Sequence, residues 1–95
     1  MFVVFLRFSE NKSQAGAFMA GHNAWLKRGF DDGSFLVSGS LGTGDGGALI
    51  ASMSSRDEIE QRLQDDPFVA ADVVRPEIHE IAPSRSVDAL SFLLT

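Results

Sequence analysis

Residues 2–8, Phe-Val-Val-Phe-Leu-Arg-Phe, are apolar on both sides of an extended chain. The even positions Phe2, Val4, Leu6 and Phe8 are hydrophobic, and so are the odd positions Val3 and Phe5. Aromatic and β-branched side chains at this density suit a strand. A strand that is apolar on both faces must be covered on both. Whatever sheet holds this segment therefore needs one layer above it and another below.

The rest of the chain supplies one of those layers. After a polar loop, with Asn11 or Ser13 as a candidate N-cap, Ala15, Phe18, Met19, His22, Trp25, Leu26 and Phe30 recur at helical spacing. Lys12, Gln14, Asn23, Lys27 and Asp31 provide polar positions around that stripe, and Asp32-Gly33 stops the helix. Residues 34–38 and 48–53 read as second and third strands joined by a mobile glycine-rich turn. Ser54 or Ser55 opens a second helix, Ser55 and Glu58 forming a capping box, with Ile59 and Leu63 on its apolar face. Pro67 ends that helix and forces Asp66 out of helical geometry. Residues 68–72 fit a short helical turn or a loop. Residues 73–81 read as a fourth strand, and Pro76 within it favours an edge position. Beyond Pro83, Ser86 is positioned to cap a short helix carrying Val87, Leu90 and Leu94.

The order strand–helix–strand–strand–helix–strand predicts an α+β, ferredoxin-like βαββαβ fold with an antiparallel sheet over residues 1–83. Residues 84–95 form a C-terminal tail expected to be helical. Favoured crossover handedness places both helices on one sheet face. A second copy of the chain is the simplest cover for the other, giving a homodimer with sheets packed face to face; the tail folding back over that face is the alternative.

Charge and composition narrow the function. Eight basic against thirteen acidic residues leave a net charge of −5, which gives no electrostatic footprint for nucleic acid. With no cysteine, thiolate nucleophiles and cysteine–metal sites are excluded. The apolar run at residues 2–6 is too short for a membrane span and lacks a basic lead, so neither membrane association nor a signal peptide is expected. A cytoplasmic setting follows.

Few residues carry candidate chemistry. His22 lies within the apolar stripe of the first helix and should point towards the sheet. There it is either a core histidine bonded to a backbone carbonyl or a group that titrates near neutrality. Asp66, held extended before Pro67, either faces water or meets a cationic or hydrogen-bonding partner. Residues 39–47 are rich in glycine, but no lysine accompanies them and they lead into a strand, so they are not a phosphate loop. Ser38 and Ser40 match no nucleophile-elbow pattern and read as hydrogen-bond donors to a ligand or to backbone. Glu77 and His79 share one strand face while Glu80 points to the other, too few ligands for a metal.

Taken together, the apolar first strand, His22 followed by Trp25-Leu26, the Gly33–Leu36 turn, Ser38-Gly39-Ser40-Leu41 and Asp65-Asp66-Pro67-Phe68-Val69-Ala70-Ala71 resemble the YciI-related family of small dimeric proteins. The resemblance covers residues 1 to about 83. It implies a dimeric α+β barrel and a histidine and aspartate, here His22 and Asp66, that meet in a cleft as an acid–base centre. Its wider group points to small ring-containing acids as substrates, and the expected chemistry on them by this pair is of isomerase, lyase or hydrolase type, with no cofactor. Two positions depart from the family pattern: Ser40 where proline is usual, and Asp72 where glycine is frequent. Phe18, Trp25, Ser38, Ser40 and Phe68 are the expected substrate-binding residues. A non-catalytic dimer that binds or senses a small molecule is the alternative, and cofactor-free or haem-dependent oxygenation ranks last.

Overall fold

The structure is a computed structural model that describes residues 1–94. β1 (Phe2–Phe8), β2 (Phe35–Ser40), β3 (Gly46–Ala51) and β4 (Val74–Glu80) form one antiparallel sheet in the order β2-β3-β1-β4. α1 (Ala15–Asp31) joins β1 to β2, and α2 (Arg56–Gln64) followed by the short α3 (Pro67–Ala70) joins β3 to β4. This is the ferredoxin-like arrangement. Pro76 lies on β4, an edge strand that among the described residues pairs only with β1, where its missing N–H leaves no gap in the ladder's interior.

Phe2, Val4 and Leu6 of β1 form a buried core with Trp25 of α1 and Ile59 and Leu63 of α2, so the helices cover one sheet face. Val3 and Phe5 point to the opposite face and stay partly exposed, beside Val37, which is 57% exposed. The tail does not close that face. Its 3-10 helix, Asp88–Leu94, lies beside Met1 and Ile81, with Val87, Leu90 and Phe92 exposed. The tail expected to run to residue 95 thus forms a 3-10 helix as far as Leu94, and Thr95 lies outside the described residues. Among the described residues no helix is long and apolar enough to cross a membrane.

Several local expectations are corrected. The core-facing edge of α1 ends in Gly29, not Phe30, which is 41% exposed. A Cβ at Gly29 would overlap the Phe35 ring, so the absence of a side chain is what lets β2 dock. Neither Asn11 nor Ser13 caps α1. A 3-10 turn (Lys12–Gln14) leads into it, and the Asn11 side chain donates instead to the Ala71 carbonyl at 2.8 Å. Ser55 caps α2 as expected, but Glu58 reaches back to Ser54.

The glycine-rich turn is tied down. Leu41 N–H bonds to Gly46 O at 2.8 Å, Phe8 N–H to Asp45 O at 2.9 Å, and Asp45 also pairs with Arg7 and Thr43. Gly46, at φ 142°, lies against the Leu6 carbonyl where no Cβ fits. Asp72, at φ 57°, occupies the left-handed position that ends α3. Val73 N–H bonds to Phe68 O and Asp72 N–H to Val69 O, the paired bonds of a Schellman motif. The position favours glycine, and aspartate tolerates it. Ser9 further holds the Asp72 carboxylate through its hydroxyl at 2.9 Å.

Candidate active site

Asp66 is not left over at the end of α2. With φ −75° and ψ 120° it is the N-cap of α3, with Pro67 in the first turn, and its Oδ1 accepts the Phe68 N–H at 3.0 Å. Proline both bars helix at Asp66 and starts the next one. Docking of α3 against α1 then carries the carboxylate inward, where Asp66 is fully buried. The approach is close at Gly21, where a Cβ would stand 2.9 Å from Pro67 Cγ.

One residue along α1, His22 Nδ1 lies 2.9 Å from the same Oδ1. With the carboxylate ionised, and so able only to accept, this pairing requires the ring hydrogen on Nδ1 and leaves the lone pair on Nε2. Phe68 stacks on the imidazole with centroids 4.0 Å apart and 7° between planes, and Trp25 lies 5.9 Å away on centroids. The His22 side chain is 13% exposed. Nε2 has no protein partner among the described residues. Asp66 Oδ2 is buried and has none either, so the carboxylate is turned to His22 and Phe68 through one oxygen only.

His22 and Phe68 border an open cleft of about 310 Å³ between α1 and the β2–β3 hairpin. Asp66 does not line it, so Nδ1 faces the carboxylate and the Nε2 edge is left for the cleft. Ser38 and Ser40 stand on the opposite wall. Their placement depends on a register shift between Phe35 and Val37. Phe35 pairs with buried Ala51, yet Ser38 pairs with buried Leu49, so the irregularity at Leu36 resets the alternation. Ser38 and Ser40 then face the helices while Val37 turns to the open sheet face. Bulges commonly re-aim side chains in this way beside functional sites.

Of the residues expected to bind a ligand, Phe68, Ser38 and Ser40 line this cleft and Phe18 and Trp25 do not. Trp25 is wholly buried, its indole N–H donating to the Arg62 carbonyl at 2.8 Å, and Phe18 packs against the core. The cleft also takes in Asn23, which the sequence offers only as one of the polar positions around the apolar stripe. Its signal was present: Met19, Asn23 and Leu26 recur at i, i+4 and i+7, one face of α1, and all three border the cleft. On the open face of the sheet Glu77 bonds His79 at 2.8 Å and Arg7 at 3.4 Å. The His79 bond and the Arg7 cation hold Glu77 below the usual carboxylate range. This group lies on the sheet face opposite the cleft, and none of its three residues lines it.

No curated protein matches the chain. Among solved structures it is similar to the 5-chloro-2-hydroxyhydroquinone dehydrochlorinase TftG from Burkholderia phenoliruptrix AC1100, in complex with 2,5-dihydroxybenzoquinone. That likeness has a TM-score of 0.69 at 22% identity and covers 85% of this chain and 93% of that one, which establishes a shared fold. A family model matches residues 1–82, from the first strand through β4 and across both His22 and Asp66. This chain therefore belongs to the YCII-related domain family.

Proposed function

We propose that this protein is a cytoplasmic, homodimeric enzyme that moves a proton on a small ring-containing acid, with His22 as the acid–base group and Asp66 as its orienting partner. The observation that carries the reading is the 2.9 Å contact between Asp66 Oδ1 and His22 Nδ1, at the floor of a cleft the carboxylate itself does not enter. Asp66 fixes the ring tautomer and stands ready to pair the imidazolium when Nε2 takes a proton. A carboxylate behind a histidine does this work in many acid–base sites. Phe68, stacked on the ring, blocks its rotation. Ser38 and Ser40 supply hydrogen bonds to ligand oxygens from the facing wall.

Isomerisation or elimination next to a carbonyl needs a base, an acid and a donor to the developing oxyanion, and these residues provide all three. The likeness to a dehydrochlorinase with a bound ring ligand supports enzyme chemistry of this kind on this fold. Dimerisation through the open sheet face is supported by the exposure of Val37 and the partial exposure of Val3 and Phe5, since apolar patches of this sort mark association sites.

The test is turnover on a panel of hydroxylated and halogenated six-membered-ring compounds, followed by absorbance and chloride release. A folded His22→Ala variant is expected to lose roughly 10²- to 10⁴-fold in kcat. Wild-type turnover by that variant contradicts the proposal. Turnover by no variant, with tight binding of unreacted ligand, points instead to a sensing or binding dimer.

A further inference from the structure

Every residue that lines the cleft among those described is uncharged apart from what His22 itself acquires. Its polar groups are His22, Asn23, Ser38 and Ser40, and no lysine, arginine, aspartate or glutamate borders it. We infer that the acid this site takes is acidic through a ring hydroxyl and carries no carboxylate, and that Asn23 is the residue which reads its second oxygen. The inference rests on the acid–base reading of His22 and names its substrate class.

Size comes first. An apolar cavity of about 150 Å³ accommodates a bare benzene ring, so about 310 Å³ takes one six-membered ring with several substituents. Pockets for larger ligands run up to about 1,000 Å³. The walls around the ring are apolar: Leu6, Leu26, Leu49, Phe68 and Val74.

Charge decides the class. An ionised group that leaves water needs a partner, and without one the cost of desolvation opposes binding. The only group here able to become a cation is His22, and its charge is already answered by Asp66 at 2.9 Å. A carboxylate on the ring would be the second anion at a site with one cation, in a chain of net charge −5. A hydroxyl arrives neutral. Its O–H bond breaks, both electrons stay on oxygen, and the proton passes to Nε2. The ring oxyanion then lies beside the imidazolium it has just created, and total charge is unchanged.

Asn23 fits the same ligand. Its carboxamide makes no hydrogen bond within the described protein, and it offers both a donor and an acceptor. A ring hydroxyl can satisfy both, whereas a carboxylate can use only the donor. Asn23 stands at the exposed rim, one residue from the base on the cleft-facing side of α1. It is therefore placed to meet a substituent on the ring while His22 meets the reacting oxygen.

The test compares three probes of matched shape by amide chemical-shift titration of the full chain: 2,5-dihydroxytoluene, 2,5-dihydroxybenzamide and 2,5-dihydroxybenzoate. The two neutral probes are expected to shift the Asn23, Ser38 and Ser40 amides and to bind at least tenfold more tightly than the carboxylate. Asn23→Leu should weaken the neutral probes about tenfold, and Asn23→Lys should close or reverse the gap to the carboxylate. A wild-type preference for 2,5-dihydroxybenzoate, or no shift of those amides with any probe, overturns the inference. The acid–base reading is separately scored: if the carboxylate is preferred and turned over with dependence on His22, only the substrate class is lost.

Discussion

The carboxylate of Asp66 stands 2.9 Å from the Nδ1 of His22 although the two residues are separated by 44 positions. The same oxygen caps α3 through the Phe68 N–H, so the turn that sets the fold locally also sets the site. Capping and histidine orientation are thereby joined in one side chain.

That double role separates the Asp66 variants. Asp66→Ala removes the cap, a loss of about 1 kcal/mol, and the relief of an unpartnered buried oxygen offsets part of it. Asp66→Ser keeps a capping hydroxyl on a shorter side chain that no longer reaches His22. Urea midpoints are expected to fall for the alanine variant and to stay near wild type for the serine variant. Turnover should fall in both. Equal activity of Asp66→Ser and wild type would show that the contact is structural only.

Much of this was readable beforehand, for physical reasons that can be named. A strand apolar on both sides at Phe2–Phe8 demanded cover on both faces, and the structure leaves Val3 and Phe5 only partly covered by their own chain. Asp66 before Pro67 had to be extended, and His22 had to lie near the sheet side of its helix. What escaped was set by irregularity or close approach. The register shift at Leu36 reverses which of Val37 and Ser38 faces the helices, and alternation alone cannot show where such a shift falls. Phe30 looked like core because its hydrophobicity was visible, whereas the space at Gly29 became meaningful only once Phe35 was seen to fill it. Asn23 was read by polarity rather than by face.

Gly29 gives a direct test of that close approach. Alanine there gains about 1 kcal/mol in helix propensity over glycine. The added methyl nevertheless overlaps Phe35, a ring only 2% exposed that packs 4.9 Å from Trp25 on centroids. Overpacking costs typically about 1–3 kcal/mol, and here both rings must move. Gly29→Ala is expected to lower the thermal midpoint, with a change in Trp25 fluorescence. An unchanged or raised midpoint would show that the β2 junction yields easily.

Acid should loosen the C-terminal end of α1, which Asp32 caps. Hydrogen bonds from the Ser34 side chain and Arg62, together with the Ser34 backbone N–H, hold Asp32 at about 2, below its ordinary 3.8. A depressed carboxylate contributes stability that is present above its unfolded value and is lost as pH falls from about 4 towards 2. The group is half exposed, so the effect is modest and screened by salt. Urea midpoints between pH 5 and 2 should fall less steeply in Asp32→Asn than in wild type. Parallel curves would remove Asp32 from the acid response.

The most direct measurement is the nitrogen-15 spectrum of the His22 ring at a pH where it is neutral, in wild type and in Asp66→Asn. The account requires the hydrogen on Nδ1 and the lone pair on Nε2 in wild type. In the asparagine variant, whose amide can donate to Nδ1, the preference should weaken or reverse, with loss of turnover. A ring already protonated on Nε2, or one whose tautomer ignores Asp66, would contradict it.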